Sequence, residues 1–371
     1  MRMVLKPGDR LIAIAPSGAL RDTEGLDPSL QLWRDRGYGV DLATGFDRRW
    51  GYLAGSDTQR RRQLTEAIGA GVYQGILAVR GGWGAARLLE QWQWPDRLPH
   101  QPGFEGFPQF LLGFSDITAL LWSLRATEQA RTADRPVQKS RGLESPHFRS
   151  LPPLSDRSAS STDPQVYPLP QGLHGPVLTT LAQEPSWSLD RLFGYLEGRP
   201  LDALQGKGWG GGTVCGRLLP GNLTVATHLL GTAAQPNLRG VILALEDVGE
   251  VPYRLDRDLT QWRMMGLLQQ VGGIALGRFS NCDPPSGIPS LSLEQVLRDR
   301  LGDLQIPIVS DLPFGHGGVN AMLPVGSWVQ LDGDRGVLSW PQLPPGNEEG
   351  GCEVPPKKSL PPHGGGCTPK N

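Results

Sequence analysis

Three short apolar runs near the start of the chain, residues 11–15, 75–79 and 110–114, each stop at a bend rich in Gly, Ser or Pro. Helix-like segments follow them, at residues 28–36, 85–91 and 117–125, and a further strand (38–43) and helix (58–69) lie between the first two runs. Continuous apolar runs of this length suit strands buried on both faces, and strands alternating with helices require a parallel sheet with helical cover. The pattern predicts an α/β unit of the flavodoxin or Rossmann-like kind. In such sheets, functional residues gather in the loops beyond the carboxyl ends of the strands.

Residues 126–169 break the pattern. They are rich in Ser, Pro, Arg and Asp without sustained apolar periodicity, which predicts an exposed, disordered insertion. The pattern resumes at 172–181 and 189–197, and a glycine-rich hinge follows at 206–212. Beyond it, strand-like runs at 214–218, 241–245, 273–279, 306–310, 328–331 and 336–339 are interrupted by helical segments at 223–230, 256–268 and 293–301. This texture predicts a second, α+β domain, β-rich and barrel-like. The expected division is an N-terminal domain over 1–205, a C-terminal domain over 206–342 and a disordered tail over 343–371.

With 371 residues the chain exceeds one ordinary core and suits two domains. A net charge of -1 provides no field to draw it to nucleic acid or an anionic membrane. The apolar run at 11–15 is too short for a bilayer span or a signal peptide, so the expected location is cytoplasmic. Of four cysteines, Cys215 and Cys282 lie in apolar strand contexts and are expected as buried thiols; Cys352 and Cys367 fall in the tail. No CxxC pair or metal-ligand spacing is present, so neither a disulfide nor a metal site is expected.

Four loops carry candidate chemistry. Gly113-Phe114-Ser115-Asp116 joins an apolar strand to a helix, a bend that lifts a serine hydroxyl out of the sheet beside helix N-terminal amides. A nucleophile and a helix N-cap at Ser115 or Asp116 are equally consistent with this segment. Arg80-Gly81-Gly82-Trp83-Gly84, also between strand and helix, can aim backbone N–H groups at an anion, or merely turn the chain. Glu246 and Asp247 end an apolar strand, where a carboxylate needs a partner such as Arg257 or a task. His316 stands among glycines in Phe314-Gly315-His316-Gly317-Gly318, free to meet a partner, and is the best general-base candidate of six histidines. His228 reads as packed core, His174 as a residue lining the site, and His100, His147 and His363 as partnerless. Serine, carboxylate and histidine together supply a nucleophile, an orienting group and a base.

The set of motifs resembles the LD-carboxypeptidase family, serine peptidases that include the microcin C7 self-immunity hydrolases. It comprises Val79–Gly84 (VRGGWG), Gly113–Thr118 (GFSDIT), His174-Gly175-Pro176, Pro220–Leu223 (PGNL), Leu245–Asp247 (LED) with Tyr253, Asp256 and Arg257, and Pro313–His316 (PFGH), spread over residues 6–125 and 171–335. The resemblance implies a cytoplasmic homodimer without a cofactor or metal, with its site between two domains. Ser115 would be the nucleophile, His316 the base and Glu246 its orienting carboxylate, with the amides of Gly82 and Asp116 as the oxyanion hole. Arg80, Trp83, His174 and Asn222 are the expected substrate contacts. The carboxypeptidase branch cleaves an L,D-peptide bond and releases terminal D-alanine from a murein tetrapeptide in cell-wall recycling. The immunity branch implies an alternative, a serine amidase acting on aminoacyl-nucleotide or related amides. Trp83 and Phe114 replace tyrosines of many members, and Pro220 replaces a glycine.

Overall fold

The computed structural model describes residues 4–22, 24–95, 106, 108–133 and 169–341. Its first half runs β1 (Arg10–Ile14), α1 (Leu26–Asp35), β2 (Gly39–Leu42), α2 (Asp57–Gly69), β3 (Gly75–Ala78), α3 (Ala85–Leu88), β4 (Phe110–Gly113), α4 (Thr118–Ala133), β5 (Gln171–His174), α5 (Leu178–Leu181) and α6 (Ser186–Leu196). Every residue of β3 and β4 is buried, which is why these runs are apolar throughout rather than alternating. They sit in a parallel array ordered β5-β4-β3-β1-β2, in which Leu77 faces both Ala13 and Leu112. Helix α2 starts at a capping box, with Ser56 accepting from the Gln59 amide and the Gln59 side chain answering the Ser56 amide.

The second half runs β6 (Leu204–Gln205), β7 (Lys207–Gly208), β8 (Thr213–Asn222), α7 (Leu223–Leu229), β9 (Ile242–Val248), α8 (Pro252–Met264), β10 (Gly273–Ser280), α9 (Leu293–Leu301), β11 (Ile308–Ser310), β12 (Leu323–Pro324), β13 (Trp328–Asp332) and β14 (Val337–Ser339). Eight of these strands form one sheet ordered β6-β14-β13-β8-β9-β10-β11-β7. The strands β6 and β7 lie at its opposite edges yet are separated in sequence by Gly206 alone, so the sheet curls until its ends nearly meet. The result is a mixed, barrel-like sheet whose parallel part, β8-β9-β10-β11, is linked by α7, α8 and α9. Fold class is therefore as expected: a parallel-rich α/β half and a β-rich α+β half.

Three features depart from the sequence reading. Strand β12 pairs antiparallel with β5, so the C-terminal half of the chain contributes the sixth strand of the first sheet. Two residues carry no periodicity by which to anticipate this. Helix α4, expected to end at Arg125, runs on to Ala133. Its last turns are held by the Arg125–Glu128 ion pair and by Arg131 Nη2 donating to the carbonyls of Trp94 and Pro95. Cys215 is disulfide-bonded rather than a free thiol, because spacing along a chain does not reveal which sulfurs the fold brings together. Cys282 is a free, buried thiol, pushed up to about 11 by burial. Cys352 and Cys367, the rest of the expected insertion (134–168) and the expected tail lie outside the described residues.

The halves are joined through α4. Trp122 Nε1 donates to the Pro220 carbonyl at 2.9 Å, and Thr118 Oγ1 accepts from the Asn222 amide at 2.9 Å. The helix behind β4 is thereby fixed to the end of β8. No helix among the described residues is long and apolar enough to cross a membrane.

Candidate active site

Ser115 follows β4 at a bend with φ +61°, a left-handed conformation that costs a non-glycine residue about 1–2 kcal/mol. Gly113 makes the bend possible: a Cβ there would lie 2.9 Å from Ile117 Cγ2 and 3.0 Å from Ala78 Cβ. The chain passes through a 3₁₀ turn, Ser115–Ile117, directly into α4, and no side chain caps that turn. The Asp116 carboxylate is occupied elsewhere. Its Oδ2 accepts from Ser17 Oγ at 2.5 Å and from the Ala85 amide at 2.8 Å, tying the bend to the loop after β1 and to the start of α3. Burial pushes this carboxyl up, against those donors. The half-buried Ser115 hydroxyl makes no hydrogen bond among the described residues.

The glycine loop after β3 lies against Ser115. A Cβ on Gly81 would sit 3.0 Å from Ser115 Cβ and 3.2 Å from its Oγ, so only glycine lets the two loops approach. Gly82 (φ +116°) is exposed and leaves its backbone uncovered at this edge. Arg80 is tethered, Nη1 donating to the Ala19 carbonyl, and burial lowers its proton affinity. Trp83 is 54% exposed and meets Tyr52 edge-on at 5.5 Å.

In the eight-stranded sheet, Glu246 stands near the end of β9, fully buried, and pairs in register with Asn222 of β8. Its Oε2 accepts from His316 Nδ1 at 2.7 Å and from the His316 backbone amide at 3.2 Å. The His316 carbonyl accepts from Ser280 Oγ at 2.6 Å, so the glycine-rich loop is pinned at this residue from both sides. The imidazole is 20% exposed and lies 4.7 Å, centroid to centroid, from the Phe114 ring, the neighbour of Ser115. A histidine whose Nδ1 faces a carboxylate presents Nε2 as the proton acceptor. The expected serine, carboxylate and histidine thus converge on one place: Glu246 and His316 by hydrogen bond, Ser115 and His316 through Phe114.

Other expected site residues are placed differently. Asn222 is buried, its Oδ1 accepting from the Val225 amide as the N-cap of α7 and its Nδ2 donating to Asp247 Oδ1, so its amide is committed to the protein itself. His174 is completely buried behind Phe114 and Phe314 and lines no accessible surface. His228 is exposed, its Nδ1 2.7 Å from the Thr224 carbonyl, because it falls on the outer face of α7. The side chain of Arg257 is exposed, and the partner of Glu246 is His316. His100, His147 and His363 lie outside the described residues.

Asp247 is the residue the sequence underrated. Its carboxylate collects the Asn222 amide nitrogen, the Thr224 hydroxyl and the Thr224 and Val248 backbone amides. Burial and the adjacent Glu246 still push it up to about 6. It knots β8, α7 and β9 together directly behind Glu246.

Sequence profiles of the LD-carboxypeptidase N-terminal and C-terminal domains match residues 12–133 and 215–331. A putative carboxypeptidase of Synechocystis is 50% identical over 336 residues, covering 91% of this chain and 95% of the relative. The murein tetrapeptide carboxypeptidase of Pseudomonas aeruginosa is 30% identical over 348 residues, covering 89% and 95%. Among solved structures, the microcin C7 self-immunity protein in complex with aspartyl sulfamoyl adenosine superposes with a TM-score of 0.71 at 17% identity, covering 92% of this chain and 98% of that one. At that identity the likeness is one of fold.

Proposed function

The chain belongs to the LD-carboxypeptidase family, and on that premise we propose that it is a serine-type hydrolase releasing terminal D-alanine from a murein tetrapeptide. The single observation that carries this reading is the Glu246–His316 pair, a buried carboxylate bonded to a partly exposed imidazole, seated against the residue that precedes a strained serine. His316 Nε2 takes the proton of Ser115 Oγ as the oxygen attacks the scissile carbonyl. Glu246 fixes the tautomer and stabilises the imidazolium that forms. The amides of Gly82 and Asp116 receive the oxyanion. His316 then returns the proton to the amine of the departing D-alanine, and water, deprotonated by the same imidazole, hydrolyses the acyl-serine. Arg80 and Trp83 stand on the loop that would border the substrate. The name of the Pseudomonas relative supports the substrate class. Cell-wall recycling in the cytoplasm by a homodimer is part of this proposal. A reducing compartment would open the Cys215 disulfide, and mass spectrometry of protein alkylated at lysis reads its state.

The test is D-alanine release from purified murein tetrapeptide by the wild type and by Ser115→Ala. Removal of the nucleophile lowers kcat by roughly 10⁴–10⁶-fold; a variant keeping a tenth of the activity overturns the assignment. A second reading, hydrolysis of an aminoacyl-nucleotide amide on the same three residues, is favoured by the exposed Trp83–Tyr52 pair at the site edge, a surface on which a base can stack. It is the reading to adopt if a fluorophosphonate labels Ser115 while D-alanine is not released.

A further inference from the structure

His174 and Glu246 leave an account open. The imidazole is 0% exposed, and neither of its nitrogens has a hydrogen-bond partner. Glu246 is also 0% exposed, and while its Oε2 is taken up by His316, its Oε1 has none. The two orphaned groups face each other, His174 Nε2 lying 4.0 Å from Glu246 Oε1. A buried donor and a buried acceptor left unmade carry the full desolvation penalty of each group, so such coincidences are rare in folded proteins. Burial pushes His174 down to about 4, which makes it a neutral ring and a hydrogen-bond donor at pH 7 rather than half of an ion pair.

The position of His174 in the fold adds a second argument. It closes β5, in register with Gly113 of the bend that carries Ser115 on one side and with Leu323 of β12 on the other. Its ring stands edge-on between Phe114 and Phe314, at 6.0 and 6.2 Å, so packing leaves the imidazole few orientations. It is a rigid group of the first sheet directed at the one carboxylate of the second sheet that holds His316.

We propose that His174 is a positioning residue for catalysis: as the Nε2–H tautomer it donates to Glu246 Oε1, and so keeps Oε2 turned to His316 across the boundary between the two sheets. Closing the gap takes a movement of about 1 Å, to the ordinary N–H···O distance. The bond favours the state that reacts, a Glu246 carboxylate beside a neutral His316, over the state carrying one further proton. The titratable groups facing this cluster are Glu246, His316 and Asp247, and none of them is a lysine or an arginine that would substitute for the donor.

This inference rests on the serine-hydrolase reading, and its test separates the two. The rate of fluorophosphonate labelling at Ser115 and kcat/KM for tetrapeptide are followed from pH 4.5 to 9 in the wild type, His174→Gln and His174→Leu, with folding checked by thermal melting. His174→Leu removes the donor: kcat and the labelling rate fall by 10-fold or more with KM nearly unchanged, and the acid limb of the profile moves to higher pH. His174→Gln restores an N–H and returns both rate and limb to within a few-fold of wild type. A folded His174→Leu with the wild-type acid limb, or a His174→Gln no better than His174→Leu, overturns the positioning role while leaving the nucleophile in place. A wild type that fails to label at Ser115 overturns the underlying reading itself.

Discussion

One carboxylate oxygen, Glu246 Oε2, holds His316 at two points, the ring Nδ1 at 2.7 Å and the backbone amide at 3.2 Å. The same atom therefore sets the tautomer of the imidazole and the path of the loop that carries it. Glu246→Gln keeps the volume and an acceptor oxygen but removes the charge that, in the proposed mechanism, stabilises the imidazolium. Loss of that charge in a triad lowers kcat by about 10³–10⁴-fold. Steady-state turnover, compared with the unchanged secondary structure of the variant, is the check; activity within tenfold of wild type contradicts the orienting role.

Ser115 occupies left-handed backbone space at φ +61°. Alanine at this position inherits the strain, and glycine does not. Set against the greater flexibility of glycine in the unfolded chain, the relief amounts to about 0.5–1 kcal/mol. The proposed mechanism makes both variants inactive, but Ser115→Gly should unfold at a higher urea concentration than Ser115→Ala. Equal midpoints would mean that the bend is not strained in solution.

Asp247 yields a pH-dependent prediction. Its folded value of about 6 lies above that of an unfolded carboxyl, through burial first and then through Glu246. A raised value means that the folded state binds the proton more tightly, so this group favours folding below the unfolded value of about 4 and the contribution is lost as pH rises through 6. Asp247→Asn removes the effect. The difference in unfolding free energy between variant and wild type should shift towards the variant by about 2 kcal/mol between pH 4 and 7. Urea titrations at the two ends of that range measure it, and a constant difference rules it out.

What the sequence makes legible here follows from how local each signal is. The bend at Ser115 and the loop at His316 announce themselves through glycines: a Cβ on Gly81 would strike Ser115, one on Gly315 would strike Glu246, and one on Gly113 would strike Ile117 and Ala78 at the bend. Helix α9 is bounded as expected because its capping box, Ser292 with Gln295, is written in four consecutive residues. The misplaced features depend on partners remote in sequence. Pairing of β12 with β5 joins residues about 150 positions apart, and the last turns of α4 lean through Arg131 on the carbonyls of Trp94 and Pro95, 37 and 36 positions earlier. Asn222 carries a motif suited to binding substrate, yet its polar atoms go to Val225 and Asp247. His174 reads as a residue lining the site until the fold closes Phe114 and Phe314 over it.

Two glycines of the histidine loop separate strain from contact. Gly315 and Gly318 both have positive φ, +102° and +97°, so alanine is conformationally costly at either, by roughly 1–2 kcal/mol. Their surroundings differ. A Cβ on Gly315 would lie 2.6 Å from Glu246 Cβ and 2.9 Å from Glu246 Oε2, whereas one on Gly318 meets nothing within 4 Å. Gly315→Ala must therefore push the carboxylate off His316, and since displacements near 1 Å cost about 10²-fold in rate, kcat should fall at least that far. Gly318→Ala should lower the unfolding midpoint by a similar amount while turnover stays within a few-fold of wild type. Parallel kinetics and melts of the two variants decide the matter: equal losses of activity would show that the loop backbone, rather than the Glu246–His316 contact, governs the rate.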